Sequence, residues 1–402
     1  MRNTNFDQTH VKFFLVEKKK YKALIKSKKR IAINKLKTEI GNVKNSKEFW
    51  KTVKKLKGFK KHTNPVAVDT WEQYLQNFYG SEIFSETDFY DARHPILDRD
   101  IDKKELDMIL QKLKSNKTPG ADGIAYEFFK NLDSEVGKPA LLRTLNKIMN
   151  GSSIPNAWGE IKLSLIFKKG DPQNPDNYRG IALINSITKI LTYIIANRIS
   201  NLAEENNLIP ESQAGFREKR GCQDNIFTLT SLIQIQNFKK RKSYLIFVDF
   251  KKAFDTVNHN LFNIIRIVRN LYKIANIVVN LEGQLSKPIK INKGVLQGDP
   301  LSALAFILFI ADIETQLRKH VNGIKITPLA DILMLAYADD LVIFADSPGD
   351  AQRKLNLLRE YSNFRQCLVS VDIVGSPCSR LFQFSGIRAE ENLFQQIYSS
   401  IP

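Results

Sequence analysis

The sequence predicts an α+β fold, a small antiparallel sheet packed on helices, and three observations predict it. Residues 333–346 read LMLAYADDLVIFAD, where two short apolar runs, Leu333–Ala336 and Leu341–Ala345, flank Tyr337-Ala338-Asp339-Asp340. Runs of that length and apolarity suit strands buried on both faces, and the polar group between them suits the bend of a hairpin. A second apolar run of the same character, YLIFVDF, spans Tyr244–Phe250. Around these lie stretches with helical spacing, such as Leu106, Ile109, Leu110 and Leu113.

At 402 residues, 43% of them hydrophobic, the chain can bury the core of two or three domains. No apolar run reaches the length expected of a membrane span; the longest, Ala303–Ala311, stops at Asp312. Met1 is followed by polar and charged residues, so no secretory signal and no membrane partner are expected. Three cysteines without metal-ligand spacing, Cys222, Cys367 and Cys378, fit a reducing compartment. Of the net charge of +19, residues 1–61 carry +16, with 20 Lys and Arg against 4 Asp and Glu. A basic block beside a nearly neutral globule is the electrostatic footprint of a nucleic-acid binder. Within it KKKYK and KSKKR resemble nuclear-import patches, so an intracellular place, nucleus or cytoplasm, is expected.

In chain order, residues 10–61 read as helix with a thin apolar stripe of Tyr21, Leu24, Ile25, Ile33, Leu36 and Ile40 between lysines. Such a helix lies on a partner rather than inside a core. Residues 63–100 carry Trp71, Tyr74, Phe78 and Tyr79, expected to pack but with no assigned role. Asp102 and Glu105 form a capping-box pattern for the helix of Leu106–Leu113. That helix ends in KSNKTPGADGI, Lys114–Ile124, whose Pro119, Gly120 and Gly123 require a tight exposed loop able to hold a phosphate. A strand at Lys162–Phe167, a basic Pro-containing loop, and a strand at Tyr178–Leu183 predict a flap. Lys168, Lys169 and Arg179 on it could clamp a triphosphate, since arginine forks match phosphate oxygens. Helices are expected at Thr188–Leu202 and Asp224–Phe238, separated by the Gly-broken basic loop SQAGFREKRGC. Gly294, Gly298 and Pro300 predict a sharp turn into a helix apolar nearly all round, its first amides pointing at the same site.

The carboxylates carry the chemistry. Asp249 ends a buried strand, which is costly for a charge unless it is paired or metal-bound. Adjacent strands of one sheet are the simplest way for it to meet Asp339 and Asp340. Three converging carboxylates suit hard divalent cations with oxygen ligands, Mg²⁺ above all, and hence phosphoryl transfer.

Six blocks then occur in order: KTPGADGI at 117–124, FKKGDPQNPDNYRGIAL at 167–183, QAGFREKRG at 213–221, VDFKKAFD at 248–255, GVLQGDPLS at 294–302 and YADD at 337–340. Together they resemble the reverse transcriptase domain of non-LTR (LINE-like, jockey-type) retrotransposons, over roughly residues 40–360. The resemblance implies a right-hand polymerase with fingers and palm, an RNA-directed DNA polymerase that joins dNTPs to a DNA primer on an RNA template with Mg²⁺. It implies that Asp249 and Asp339 bind metal, with Asp340 the third acidic residue and the Phe250 carbonyl a backbone ligand. Phe254 looks like the gate whose ring excludes a ribose 2′-hydroxyl. Gln297 resembles a residue contacting nucleotide and template, and Arg179 with Lys168 or Lys169 the triphosphate clamp. The expected organisation is a basic helical arm at 1–62, an N-terminal extension with fingers at 63–240, a palm at 241–350 and a divergent segment at 351–402.

Three departures from the family pattern stand out. A palm helix is trimmed between Leu261 and Leu271, no lysine follows Lys354, and neither a thumb nor an upstream endonuclease is expected. The alternative expectation is therefore a catalytically decayed, reverse-transcriptase-derived RNA-binding fragment. Another palm-fold nucleotidyl transferase, such as a cyclic-dinucleotide synthase, would lack the KTPGADGI and NYRGIAL blocks.

Overall fold

In the computed structural model, residues 8–41, 64–80, 94–257, 259, 266–281, 283–328, 330–365 and 367–375 are described. The chain divides into two compact units, Met1–Asn64 and Pro65–Pro402. In the first, Gln8–Gly41 is one helix, α1, with Tyr21, Leu24, Ile25 and Ile33 exposed. An apolar stripe left on the surface fits the expectation of a helix without a core of its own. Its predicted continuation to residue 61 lies outside the described residues.

The second unit opens with α2, Val68–Tyr79, which buries Trp71 and Leu75. Next come α3 (Lys103–Lys112), α4 (Tyr126–Lys130) and α5 (Gly137–Met149). Asp102 caps α3 by accepting from the Glu105 amide at 2.8 Å. The reciprocal half of the predicted capping box is absent, because Glu105 is buried and forms a two-point ion pair with Arg198 at 2.8 and 2.7 Å. Arg198, on the helix expected at Thr188–Leu202, also donates to the carbonyls of Leu97, Arg99 and Asp100. The buried charges are thus paired and hydrogen-bonded, the condition for burying them.

Strands β1 (Glu160–Phe167) and β2 (Tyr178–Leu183) pair antiparallel from Phe167↔Tyr178 to Lys162↔Leu183, making the expected flap. Helices α6 (Ser186–Glu205) and α7 (Cys222–Phe238) follow, each longer than predicted. Strand β3 is Tyr244–Lys251. Between β3 and the loop at 294, the sequence predicted no strands. There the structure has α8 (Arg266–Ile274), β4 (Asn276–Leu281), β5 (Gln284–Leu285) and β6 (Ile289–Lys290). Strand β4 pairs parallel to β1, so these strands extend the flap into a five-stranded mixed sheet. The expected trimming between Leu261 and Leu271 falls in part on residues outside those described.

The apolar stretch after Gly298 is α9 (Pro300–Phe309), then α10 (Ile313–Arg318). Contrary to the sequence reading, Pro300–Arg318 is apolar and long enough to cross a membrane by length and composition alone. In this fold 56% of it is buried, with Phe306 and Ile307 at 0% exposure in the core. A small ribbon, β7 (Ile324–Lys325) with β8 (Asp331–Ile332), leads into β9 (Met334–Tyr337) and β10 (Asp340–Ala345). Helix α11 (Pro348–Arg365) and strand β11 (Leu368–Gly375) follow.

The second sheet is antiparallel with order β11-β3-β10-β9. Its β3 alternates, with Ile246, Val248 and Phe250 on the core and Phe247 and Asp249 exposed, so this strand is not buried on both faces. The other face is partly covered by α7, whose Leu232 packs with Phe344 and Ile324. Residues from 351 on, set apart in the sequence reading, supply most of α11 and all of β11, which completes this sheet.

Candidate active site

Antiparallel pairing sets Asp340 opposite Asp249, with Leu341 opposite Val248 and Val342 opposite Phe247. Facing residues in such a pair have α-carbons about 4.5–5.5 Å apart. Tyr337 pairs with Asp340, leaving Ala338-Asp339 as a two-residue hairpin turn, with Ala338 at φ +59°. One register thus brings together carboxylates ninety positions apart in the chain. Their proximity is electrostatically visible. The Asp340 carboxyl is pushed up first by partial burial, then by the negative charges of Asp339 and Asp249.

A cleft of about 510 Å³ opens between the flap and this turn, lined by Lys168, Arg179, Asp249, Phe254, Gln297 and Asp339. Phe250 lines it too, and its ring packs edge-on against Phe306 at 5.8 Å. Seven of the nine predicted site residues therefore share one cavity. Lys169 and Asp340 do not line it; of the two lysines left open by the sequence, Lys168 is the one that does. Asp340 opens instead onto a neighbouring groove of about 420 Å³, which Asp249 also borders.

The cleft is held by a stitched loop. Ala182 of β2 donates its amide to Gln297 O at 2.7 Å, Val295 to Phe254 O at 2.7 Å, and Gly294 to Val257 O at 2.9 Å. The 294–298 loop thereby ties the flap to the turn after β3. Gly294 sits at φ +76°, and a β-carbon there would meet Asp255 Cα at 2.9 Å, so a side chain is excluded twice over. The helix that follows does not aim its amides at the cleft as predicted. Asp299 caps α9, is itself buried, and accepts from Thr192 Oγ1 at 2.6 Å. The KTPGADGI loop is exposed except around Pro119 and Gly120 and also lies outside the cleft lining, docked on α6 by Asp122 N–H to Asn185 Oδ1 at 3.1 Å and Ser186 Oγ to Ile124 O at 2.6 Å.

Sequence reasoning missed the wall built by α2. Tyr74, Phe78 and Tyr79 line the cleft, and their spacing with Trp71 and Leu75 was the available signal of one helical face. Lys252 lies 4.6 Å from the Phe78 ring centre and 2.8 Å from Asp176 of the flap, which also accepts from Tyr74 at 2.6 Å. Asp255, half-buried, is pushed up to about 6 by burial, against a hydrogen bond from Tyr79 and the charges of Lys252 and Lys168. Lys354, the last lysine, is fully buried and bonded to Asp350 and Phe344 O, so it serves α11 and not the cleft.

Residues 166–372 match the reverse transcriptase (RNA-dependent DNA polymerase) family. The chain belongs to the reverse transcriptase family. The match covers half the chain and takes in five of the six blocks, KTPGADGI at 117–124 lying before it. The chain is 27% identical over 302 residues to the Transposon TX1 uncharacterized 149 kDa protein of Xenopus laevis, covering 72% of this chain and 22% of that protein. To the RNA-directed DNA polymerase from mobile element jockey of Drosophila funebris it is 26% identical, covering 71% and 32% respectively. To the Retrovirus-related Pol polyprotein from type-2 retrotransposable element R2DM of Drosophila melanogaster it is 27% identical, covering 60% and 23%. The chain thus spans between a fifth and a third of the length of these relatives. Telomerase from Candida Tropicalis is similar in structure with a TM-score of 0.41 at 15% identity, covering 65% of this chain and 47% of that one.

Reverse transcriptases generally use divalent metals. Among the described residues no three acidic, His or Cys side chains close into a ready-made metal cage. A small hard cation that keeps part of its water shell needs only one or two carboxylates, completed by backbone and substrate oxygens. Asp249 and Asp339 share one cleft with Phe250, and the mutual repulsion felt at Asp340 is what a cation there would relieve.

Proposed function

We propose that this chain is an RNA-directed DNA polymerase of the non-LTR retrotransposon type, extending a DNA primer on an RNA template. The observation that carries the reading is the strand register that puts Asp249 beside the hairpin acids, at the foot of a cleft shared with Lys168 and Arg179. In the reaction, the primer 3′-oxygen bonds to the α-phosphorus of a dNTP, the bond from that phosphorus to the β-phosphate bridge breaks, and pyrophosphate leaves with the electron pair. The 3′-hydroxyl proton passes to solvent. Lys168 and Arg179 would hold the triphosphate, and Arg179 on a hairpin strand can offer its fork to two oxygens at once. Gln297, pinned to β2 through its carbonyl, would sit against nucleotide and template. Mg²⁺ would be held by Asp249 and Asp339, with Asp340 and the Phe250 carbonyl beside them, and supplies charge neutralisation at the phosphates. The flanking acids keep that region negative until a cation binds, which disfavours non-productive anions there.

The test is primer extension on poly(rA)/oligo(dT) with Mg²⁺. Asp249→Asn and Asp339→Asn should each remove detectable extension. Activity near wild type in both variants would refute the assignment. RNA binding without extension in the wild-type chain would favour the decayed fragment instead.

A further inference from the structure

The turn that carries Asp339 is held from outside the sheet by one side-chain amide. Gln213 is 3% exposed and lies in the loop between α6 and α7. Its Oε1 accepts from Ala338 N at 2.8 Å and Gly215 N at 2.9 Å, while its Nε2 donates to Ala338 O at 3.2 Å. Two amide donors facing Oε1 and a carbonyl facing Nε2 determine which way the amide points, since the reverse would set like against like. The backbone on either side is zipped to β9, with Ala336 N donating to Ser212 O and Ala214 N to Ala336 O, both at 2.8 Å. Arg217 in turn donates to Gln213 O at 3.0 Å and pairs with Glu204 at 2.6 Å. Gly215 approaches so closely that a β-carbon would meet Ala338 N at 2.2 Å.

Ala338 pays a conformational cost of roughly 1 kcal/mol or more for a left-handed backbone in a residue with a β-carbon. Bonding both its N–H and its C=O to one buried side chain is a way to hold it there. The next residue is Asp339. We infer that Gln213 is a positioning residue for the Asp339 carboxylate, setting the hairpin turn from which that group reaches the cleft. The inference rests on the polymerase reading and deepens it.

Gln213→Met keeps length and bulk but offers no hydrogen bond. Asn225→Ala is the comparison, because Asn225 donates to Ala336 O at 2.9 Å, on the same strand but away from the turn. Melting temperature, hydrogen exchange of the 333–346 peptide, and kcat and KM for dTTP are measured in both, beside Asp339→Asn. Gln213→Met should exchange faster at the turn and lose about tenfold to hundredfold in kcat at nearly unchanged KM. Asn225→Ala should lose comparable thermal stability with far less loss of kcat. Turn exchange or kcat in Gln213→Met equal to that of Asn225→Ala overturns the inference alone. Full activity in Asp339→Asn overturns the polymerase reading, and the inference falls with it.

Discussion

Phe254, partly buried, packs its ring on a neighbour in the core. Its ring stacks on Phe306 at 5.7 Å and 26°, Phe306 is itself fully buried, and its carbonyl is engaged by the Val295 amide. The chain enters this turn through Lys252 at φ +53°, which swings the ring towards the cleft directly after Asp249 and Phe250. In the gate role that the resemblance implies, a ring stacked on this buried neighbour would limit what a sugar can carry at its 2′ position. Phe254→Ala should let UTP compete with dTTP, with discrimination falling about tenfold or more while dTTP incorporation changes less. Single-nucleotide extension with each substrate measures this, and unchanged discrimination would remove Phe254 from the gate role. The gate role came from the resemblance; the rigidity that makes it physical depends on Phe306, fifty-two positions later, and was not readable.

At the scale of elements, α9 shows how a helix can be legible and its orientation not. Its all-round apolarity announced burial, and it is buried. What its N-terminus faces is decided by Thr192 on α6, which bonds the capping Asp299 and turns that end into the core. Asp299 is pushed up to about 6 by burial, opposed by the Thr192 hydroxyl, the Leu301 amide and the charge of Lys189. An unfolded aspartate titrates near 3.8, so between about pH 4 and 6 the folded chain binds the extra proton. Stability contributed at this site therefore falls as pH rises through that window, by on the order of 3 kcal/mol in all. Asp299→Asn keeps an oxygen for the same donors and has no proton to lose. It should match wild type near pH 4 and melt higher at pH 7; a lower melting temperature at pH 7 would contradict this account. The missed strands have simpler causes. Asn276–Leu281 is short and starts and nearly ends on asparagine, while β5 and β6 are two residues each, too brief for a periodic signal. β11 alternates Val369, Val371 and Ile373 with Ser370 and Asp372, a readable strand pattern passed over because it falls where the family resemblance fades.

For the molecule as a whole, charge is partitioned as function would want it. The basic first 61 residues carry +16 and the remainder almost nothing, and in α1 Tyr21, Leu24, Ile25 and Ile33 of the apolar stripe are exposed, as are lysines such as Lys18, Lys22 and Lys26. If this arm supplies phosphate contacts, RNA affinity should fall with salt, and removal of residues 1–61 should flatten the slope by roughly 0.7–0.9 per cation engaged. Equal slopes with and without the arm would exclude it from the backbone contacts. The carboxylate-bearing half was the more legible one, because adjacent acids between apolar strands are a specific pattern, whereas its outer wall of α2 needs only aromatic bulk. One arrangement in the palm also bears on how the protein is made. Strand β3, which bears Asp249, has β10 on one flank and β11 on the other, with Ser370 opposite Asp249. During synthesis from the ribosome, the strand carrying Asp249 waits through more than a hundred residues with an open flank, a sticky edge to any neighbouring nascent chain. This sheet is therefore complete only once β11 has emerged, more than a hundred residues after β3.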